Sequence, residues 1–294
     1  MEVMTAIPEQ GEALGQASAI PFHPCLNDEA HGLVARIHLP VAPRCNLACA
    51  YCERILSDDP DLPGPGTAST VMTPGAAALR ALAFLNEYGD DSIVGIAGPG
   101  DPLANEETFE CLERVRRHAS EAALCLCTNG LALPRSMDRL AGVRLNTLTV
   151  TVNGVTPETV AQVQPRIHEG GNWIKGTEGA RILIDRQREG IARAAEAGMV
   201  VKVNMVVIPE INMRETEAVS NMAARLGARV FNPMPLIPRN GLKDFCRPTA
   251  QDMAEVRRRC GKELYVFTKC KQCRADAAGI PGKEHHGCQM IKNG

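Results

Sequence analysis

Strand-like and helix-like segments alternate along most of this 294-residue chain, and this alternation constrains the fold more than any other feature. Apolar, β-branched runs recur six times, at 34–41, 92–97, 123–128, 147–153, 200–208 and 228–236. Helix-like stretches lie between them, at 74–88, 106–118, 134–140, 177–197 and 213–226. Near-continuous apolar strands separated by helices are typical of a parallel sheet buried on both faces. We therefore predict an α/β fold, a partial (β/α)6 barrel with its site at the carboxyl ends of the strands.

The chain is expected to form one domain, since α/β barrels of this size are usual and no internal repeat is visible. We predict a flexible tail at 1–21 and a single domain at 22–294, which includes a C-terminal cysteine-bearing segment at 246–294. A second cysteine-bearing extension precedes the first strand. A net charge of −2 argues against general nucleic-acid or membrane-surface binding, and we expect neither partner.

Twelve cysteines would indicate disulfides in a secreted protein. The first ten residues, however, have neither the basic start nor the apolar run of a signal peptide. No stretch approaches the length that crossing a bilayer requires. We therefore expect reduced thiols and a cytoplasmic location.

The most informative motif is a Cys-x3-Cys-x2-Cys cluster formed by Cys45, Cys49 and Cys52. Soft thiolates are the ligands that iron–sulfur clusters select, and three ligands to a four-iron cube leave one iron open to a small molecule. Structural zinc is the alternative, but it usually takes four ligands, as two Cys-x2-Cys pairs. With Tyr51 before the last cysteine, the motif resembles that of the radical S-adenosylmethionine (SAM) superfamily. The resemblance implies a 4Fe–4S cluster whose open iron binds SAM, and reductive cleavage of SAM to a 5′-deoxyadenosyl radical.

Glycines and small polar residues at the predicted strand ends are candidate SAM contacts. Gly98 and Gly100 follow the second strand, where radical-SAM proteins place a glycine-rich turn. Thr128 ends the third strand, Asn153 ends the fourth, and Asn204 lies within the fifth. Each of these residues is also an ordinary turn or cap residue, so only their joint placement favours a binding site.

Further cysteines indicate additional metal sites. Cys270 and Cys273 form a Cys-x2-Cys pair, which in a protein that is not secreted is typical of metal or redox sites. We predict another 4Fe–4S cluster there, with Cys260 as its third ligand. Cys125 and Cys127 alternate along one strand and therefore point to the same face, which we expect to be the barrel interior. Buried free cysteines are also common as small apolar residues, and we expect that role for Cys111, Cys246 or one of this strand pair.

Several longer segments resemble one particular family within this superfamily. They lie, in order along the chain, at 23–31, 41–46, 95–105, 124–134, 180–184, 202–204 and 270–277. They resemble the NifB family of nitrogenase-cofactor biosynthesis proteins. The resemblance implies a radical-SAM scaffold with two further 4Fe–4S clusters, which are fused into an eight-iron cluster with an added sulfur and a carbide from a SAM methyl group. That product is the precursor of the nitrogenase iron–molybdenum cofactor. The resemblance also implies iron–sulfur cluster donors and cofactor carrier or scaffold proteins as partners.

Carried over residue by residue, the family's SAM-cluster ligands and its C-terminal cluster ligands match the two cysteine groups above. Its N-terminal His-Pro-Cys matches His23 and Cys25, and its third-strand cysteine matches Cys125. Cys127 stands where the family usually has serine. Asp58 stands where many members have a cysteine, so one auxiliary cluster is either held differently or has low occupancy. The alternatives are another radical-SAM enzyme with auxiliary clusters, or a non-catalytic iron–sulfur carrier.

Overall fold

Thirteen strands and seven α-helices make up the regular structure of the part of the chain described by the computed structural model, residues 21–59, 62 and 64–283. The strands are β1 (Arg36–His38), β2 (Leu47–Ala48), β3 (Ile55–Leu56), β4 (Thr67–Ala68), β5 (Ile93–Ile96), β6 (Ala123–Thr128), β7 (Thr147–Thr151), β8 (Arg166–Glu169), β9 (Asn172–Lys175), β10 (Val200–Val207), β11 (Val230–Pro235), β12 (Tyr265–Val266) and β13 (Ala278–Gly279). The helices are α1 (Pro74–Tyr88), α2 (Glu106–His118), α3 (Leu133–Gly142), α4 (Pro157–Val163), α5 (Gly176–Glu196), α6 (Thr216–Arg225) and α7 (Ala250–Cys260).

One eight-stranded sheet forms the centre, in the order β12-β11-β10-β7-β6-β5-β1-β13. The six inner members are the six predicted strands, they lie in sequence order, and all pair in parallel. At one edge β12 continues the parallel arrangement, and at the other β13 pairs antiparallel with β1. The predicted partial (β/α)6 barrel is therefore confirmed, with one short strand added at each edge.

Helix boundaries follow the predicted signals closely where a cap is present. The hydroxyl oxygen of Thr73 accepts a hydrogen bond from the Ala76 N–H, Pro74 occupies the first turn, and α1 ends before Gly89. The predicted helix at 213–226 begins instead as a 3-10 turn, Met213–Glu215, and becomes α6 only afterwards.

Between 153 and 177 the prediction placed no element, yet the structure has α4 and a β-hairpin made of β8 and β9. The hairpin turn is Gly170-Gly171, and both residues have positive φ, at 58° and 82°. Two-residue hairpin turns of type I′ need positive φ at both positions, which glycine adopts at low cost. The sequence signal for this hairpin is therefore the Gly-Gly pair, which lies between two short runs of alternating apolar and polar residues.

Alternation along the central strands separates an apolar outer face from a polar inner face. On β6 the side chains of Leu124 and Leu126 are fully buried under the helices, whereas Cys125 and Cys127 face inward and are partly buried. The register pairs these cysteines with Thr147 and Thr149 of β7. The same register carries Lys202 of β10 onto the inner face, opposite Thr149.

The segment after β12 returns to the other end of the sheet and ties it to the loop after β3. Arg274 is only 4% exposed, and its guanidinium donates to the carbonyl oxygens of Ser57 and Asp59. Its Nε lies 2.9 Å from a carboxylate oxygen of Asp276, which is 2% exposed and accepts from the Ser69 N–H. A buried ion pair with these backbone bonds therefore holds the C-terminal segment against the chain near residue 58.

The structure describes the predicted tail and the predicted C-terminal segment only in part. The predicted tail, apart from residue 21, lies outside the described residues, as does 284–294 of the predicted C-terminal segment. Within the described ranges, no helix combines the length and apolar content needed to cross a bilayer.

Replacing Asp276 with Asn should lower the free energy of unfolding by about 3 kcal/mol, because it leaves the Arg274 charge buried without its counter-charge. Urea denaturation measures this change. The matched control is Glu255→Gln, which removes one carboxylate from an exposed pair with Arg258 and should change stability little. Equal effects of the two substitutions would contradict the anchoring role of the buried pair.

Candidate metal and cofactor site

The cluster loop, residues 45–52, lies at the carboxyl end of the sheet and places three thiols on one cavity. Cys45, Cys49 and Cys52 are partly buried and all line this cavity. Between the first two, Leu47 is buried and belongs to a small apolar cluster with Ile167 of β8. The Cys52 N–H donates to the Cys49 carbonyl, which closes the turn that carries the last two thiols.

Burial raises the pKa of each thiol in the cluster loop. The pKa of Cys45 rises to about 11, through burial first and then the nearby Asp101 carboxylate. For Cys49, burial likewise raises the pKa well above the ordinary thiol value, and the Cys52 and Cys45 thiols add to the effect. The thiols are therefore protonated at neutral pH, and metal binding must displace their protons.

This donor set fits a cluster with one open iron, because three thiols from one loop line a shared cavity. In the described ranges no three Cys, His, Asp or Glu side chains are arranged to hold a single metal ion. The thiolates of a four-iron cube bind different iron atoms, so they need not converge on one point.

Tyr51 is held from two sides. Its hydroxyl bonds to the Cys49 thiol, and it accepts a hydrogen bond of 3.1 Å from the Asn153 side-chain amide. The side-chain oxygen Oδ1 of Asn153 accepts from the Val206 N–H of β10. The structure thus shows Asn153 orienting Tyr51. Tyr51 lines the cavity, whereas Asn153 is not among the described residues that do so.

The turn after β5 packs directly on the segment before Cys45. The Gly100 N–H donates to the Ala42 carbonyl at 2.6 Å, and a Cβ at Gly100 would lie 2.1 Å from the Arg44 oxygen. Glycine is therefore required here by the neighbouring backbone. Gly100 also lines the cavity, whereas Gly98 is not among the described lining residues.

Asp101 is a cavity residue that the sequence analysis missed. Its buried carboxylate accepts hydrogen bonds from the Thr128 hydroxyl, the Asn129 N–H and the Leu103 N–H. Burial raises the pKa of this carboxylate to about 6, although these hydrogen bonds act to lower it. Thr128, a predicted SAM contact, lines the same cavity, and its hydroxyl donates to Asp101. An acidic residue directly after the glycine turn was the available signal.

Four further thiols meet inside the barrel, and we call Cys25, Cys125, Cys127 and Cys273 the interior thiols. Burial raises the pKa of Cys25 to about 12, and the charges that act on it include those of Cys273 and Cys125. Cys127 also lines the cavity of the cluster loop, so the interior thiols adjoin that cavity. The structure therefore brings cysteines from both extensions onto the inner face of the sheet.

Two buried cations, neither predicted as site residues, stand among the interior thiols. The Lys202 ammonium donates to the Cys25 carbonyl at 2.9 Å. The Arg36 guanidinium donates to the Cys273 sulfur at 3.1 Å and to the Gly279 carbonyl at 2.8 Å. The two-residue alternation along β1 and β10 places Arg36 and Lys202 on the inner face of the sheet. The same alternation is visible in the sequence and could have predicted their position.

Two imidazoles complete this inner surface. His23 is buried, its Nδ1 accepts from the Cys25 N–H, and its Nε2 has no partner in the described chain. His38 hydrogen-bonds through Nδ1 to the Arg274 carbonyl at 3.0 Å. Burial lowers the pKa of His23 to about 3 and that of His38 to about 4. Both rings are therefore neutral near pH 7, the state in which imidazole binds metals.

The Cys-x2-Cys pair lies on the inner side of the sheet without its predicted third member. Cys270 packs with Leu26 and Phe267 beside Cys25. Cys260 is 1% exposed on the outer side, in the core that includes Phe231, and its carbonyl accepts from the Ser220 hydroxyl. The prediction of Cys260 as a ligand with Cys270 and Cys273 is therefore corrected, because the sheet separates them.

Two other predicted positions lie apart from the cavity. The Asn204 side chain accepts from the Asn232 amide at 2.9 Å and is not among the described cavity-lining residues. Asp58 is exposed, next to Ser57, whose carbonyl accepts from Arg274.

The sequence of this chain is similar to those of known radical-SAM proteins. The family model of the Radical SAM superfamily matches residues 39–223. A Methanocaldococcus infernus protein named FeMo cofactor biosynthesis protein NifB is 39% identical over 258 residues, covering 88% of this chain and 85% of its own length. The chain belongs to the NifB family. A NifB from Methanocaldococcus jannaschii is 40% identical over 88% of the chain and 86% of its own length, and one from Klebsiella pneumoniae is 42% identical over 89% of the chain but 57% of its own length.

Solved structures show the same fold at low sequence identity. Streptococcus suis SuiB bound to S-adenosylmethionine superposes with a TM-score of 0.59 and 12% identity, covering 81% of this chain and 51% of SuiB. A radical SAM methyltransferase from Sphaerobacter thermophilus gives a TM-score of 0.51 and 18% identity over 83% of this chain and 70% of its own. The predicted family and fold are confirmed, and this NifB-family chain is a radical-SAM enzyme. Membership implies a 4Fe–4S cluster and SAM.

Replacing Cys49 with Ala should abolish SAM cleavage, because each thiol of the cluster loop supplies one of only three protein bonds to that cluster. Anaerobic measurement of 5′-deoxyadenosine with dithionite tests this expectation. The matched control is Cys246→Ala, at an exposed cysteine outside the site, which should keep the full rate. Wild-type turnover by the Cys49 variant would overturn the assignment.

Replacing Cys260 with Ala should lower the unfolding free energy by about 1–2 kcal/mol, since it opens a small cavity in the apolar core. Iron per folded molecule should stay at the wild-type value. Thermal melting and iron analysis on the same samples separate the two effects. Loss of about one cluster's iron from this variant would restore Cys260 as a ligand.

Proposed function

We propose that this chain fuses two 4Fe–4S clusters into an eight-iron cluster, with an added sulfur and a carbide that derives from a SAM methyl group, as the precursor of the nitrogenase iron–molybdenum cofactor. The observation that carries the proposal is the placement of the interior thiols and two neutral imidazoles beside the cavity of the cluster loop. The names of the NifB relatives support the same biosynthetic role.

The cluster loop is proposed to hold the catalytic 4Fe–4S cluster, and the cavity to hold SAM. SAM, when bound there, supplies a methyl group and a 5′-deoxyadenosyl radical. Gly100 and Asp101 form the wall of this cavity on the β5 side, and Asp101 presents a buried carboxylate suited to an amino group. Tyr51, fixed by Asn153, sets the position of the Cys49 thiol.

Cys270 and the interior thiols, together with His23, are proposed to hold the clusters that are to be joined. Cys270 and Cys273 would anchor one cluster, and His23, Cys25 and Cys125 the other. A cluster held by thiolates and sulfides is negatively charged, so Lys202 and Arg36 would balance that charge in the interior. Partial ligation by imidazole would also ease product release, since a closed set of four thiolates binds more firmly.

Cys127 is proposed to substitute at the cluster that lacks a ligand at position 58. Asp58 is exposed, whereas Cys127 lines the cavity and lies on the same face as Cys125. This arrangement supports up to two auxiliary clusters without a cysteine at position 58. We further propose a cytoplasmic location, an iron–sulfur donor and a cofactor carrier or scaffold protein as partners.

The double variant Cys270→Ala and Cys273→Ala should lose iron equivalent to about one 4Fe–4S cluster, because two thiolates supply most of that site's hold. SAM cleavage should continue, but no eight-iron product should form. Iron analysis, 5′-deoxyadenosine formation and activation of cofactor-free nitrogenase are the three measurements. The outer cysteine variant Cys260→Ala serves as the control and should keep all three.

A purely structural role for the pair predicts the reverse pattern. Melting temperature would then fall while iron per folded molecule stayed constant. That result, or eight-iron product formed by the double variant, would reject the proposed function.

A further inference from the structure

The cluster loop is covered on one side by the β8–β9 hairpin, residues 166–175. β2 lies between Cys45 and Cys49 and pairs antiparallel with β8, and the His168 N–H donates to the Asn46 carbonyl at 2.8 Å. β9 forms the free edge of this small sheet in the described chain. Because neighbouring strands lie about 4.8 Å apart, β9 is only about 10 Å from the backbone of the cluster loop.

The two faces of the hairpin differ in character. Ile167 and Ile174 pair with each other and pack inward against the apolar cluster that includes Cys45 and Cys49. The alternate positions point the other way and carry Arg166, His168, Trp173 and Lys175. This outward set is the hairpin face.

Trp173, the only tryptophan of the chain, dominates the hairpin face. It is 45% exposed, one of few large apolar side chains left in solvent among the described residues. The Arg166 guanidinium carbon lies 4.8 Å from its ring centroid, and the His168 ring packs edge-on at 5.2 Å. Tryptophan and arginine are among the residues enriched in the energetically dominant centres of protein interfaces.

The charge of the hairpin face is basic. Arg166 and Lys175 are both exposed, and the single acidic residue of the hairpin, Glu169, is turned away. Glu169 is already bound by Arg135 at 2.9 Å and by Arg186 at 3.8 Å. An acidic protein surface would therefore meet complementary charge around an aromatic centre.

We propose that the hairpin face is the docking site for an acidic one-electron carrier protein that reduces the cluster of the loop. Each SAM cleavage consumes one electron: the carrier is oxidised by one electron, the cluster is reduced by one, and the electron then breaks a carbon–sulfur bond of SAM to give methionine and the radical. The hairpin backbone bonded to Asn46 gives a short route to the Cys45 thiolate. The inference rests on SAM cleavage at the cluster loop and not on the eight-iron product.

The test compares two reductants on one variant. In Arg166→Glu with Lys175→Glu, 5′-deoxyadenosine formation driven by a limiting, acidic, reduced 2Fe–2S ferredoxin should fall at least tenfold at low salt, because charge steering changes association rates by about 10 to 1,000-fold. The rate with dithionite, which needs no docking face, should stay within twofold of wild type. Near 1 M salt, where the Debye length is about 3 Å, the difference between variant and wild type should shrink.

Matched controls separate charge and apolar contact from general damage. Arg117→Glu with Arg225→Glu makes the same change of net charge on exposed positions of α2 and α6 and should leave both rates unchanged. Trp173→Ala should lower the ferredoxin-driven rate several-fold, whereas Leu79→Ala, at an exposed apolar residue of α1, should not.

Each other outcome rejects the docking site. Equal loss with both reductants would show that the hairpin only supports the cluster loop, and an unchanged ferredoxin-driven rate would show that the carrier binds elsewhere. An equal loss of the ferredoxin-driven rate in the Arg117 and Arg225 control variant would show that the effect comes from net charge and not from the hairpin face. Absence of 5′-deoxyadenosine from wild type with both reductants would reject the cluster-loop assignment and, with it, the docking site that rests on it, whereas every failure above occurs in an enzyme that cleaves SAM with dithionite, so the two failures are distinguishable.

Discussion

Two-residue alternation in a buried parallel sheet is the constraint on which the rest of the molecule depends. On β6 it sends Leu124 and Leu126 outward into the apolar core and leaves Cys125 and Cys127 inside. A shift of register by one residue would exchange the two faces and place thiols under the helices. The barrel therefore obtains a continuous core and a polar, thiol-bearing interior from the same strands.

The barrel interior carries buried cations, which would be energetically unfavourable in a purely apolar interior. The Lys202 and Arg36 cations are buried and bonded to backbone carbonyls and to a sulfur. Burial also raises the thiol pKa of Cys25 and Cys127 to about 12. Such a surface suits a ligand that takes protons from the thiols and brings negative charge to the cations, as a thiolate-bound iron–sulfur cluster does.

Distant parts of the chain meet around this interior because specific polar bonds tie them to the sheet. Arg274 and Asp276 fasten the C-terminal segment to the backbone near residue 58, and β13 pairs with β1. At the other end of the chain, the Cys25 carbonyl is held by Lys202 of β10. Residues more than two hundred positions apart thereby contribute to one site.

The sequence by itself determined the six parallel strands, most helix boundaries and the cluster loop, because these follow from local periodicity, capping residues and ligand spacing. Tertiary structure alone decided which polar residues share a face of the sheet. It separated Cys260 from Cys270 and Cys273, committed Asn153 to Tyr51, and brought Lys202 among the interior thiols. The physical reason is that spacing along a chain reports local geometry, whereas a metal site assembles across strands whose order and register set which side chains meet.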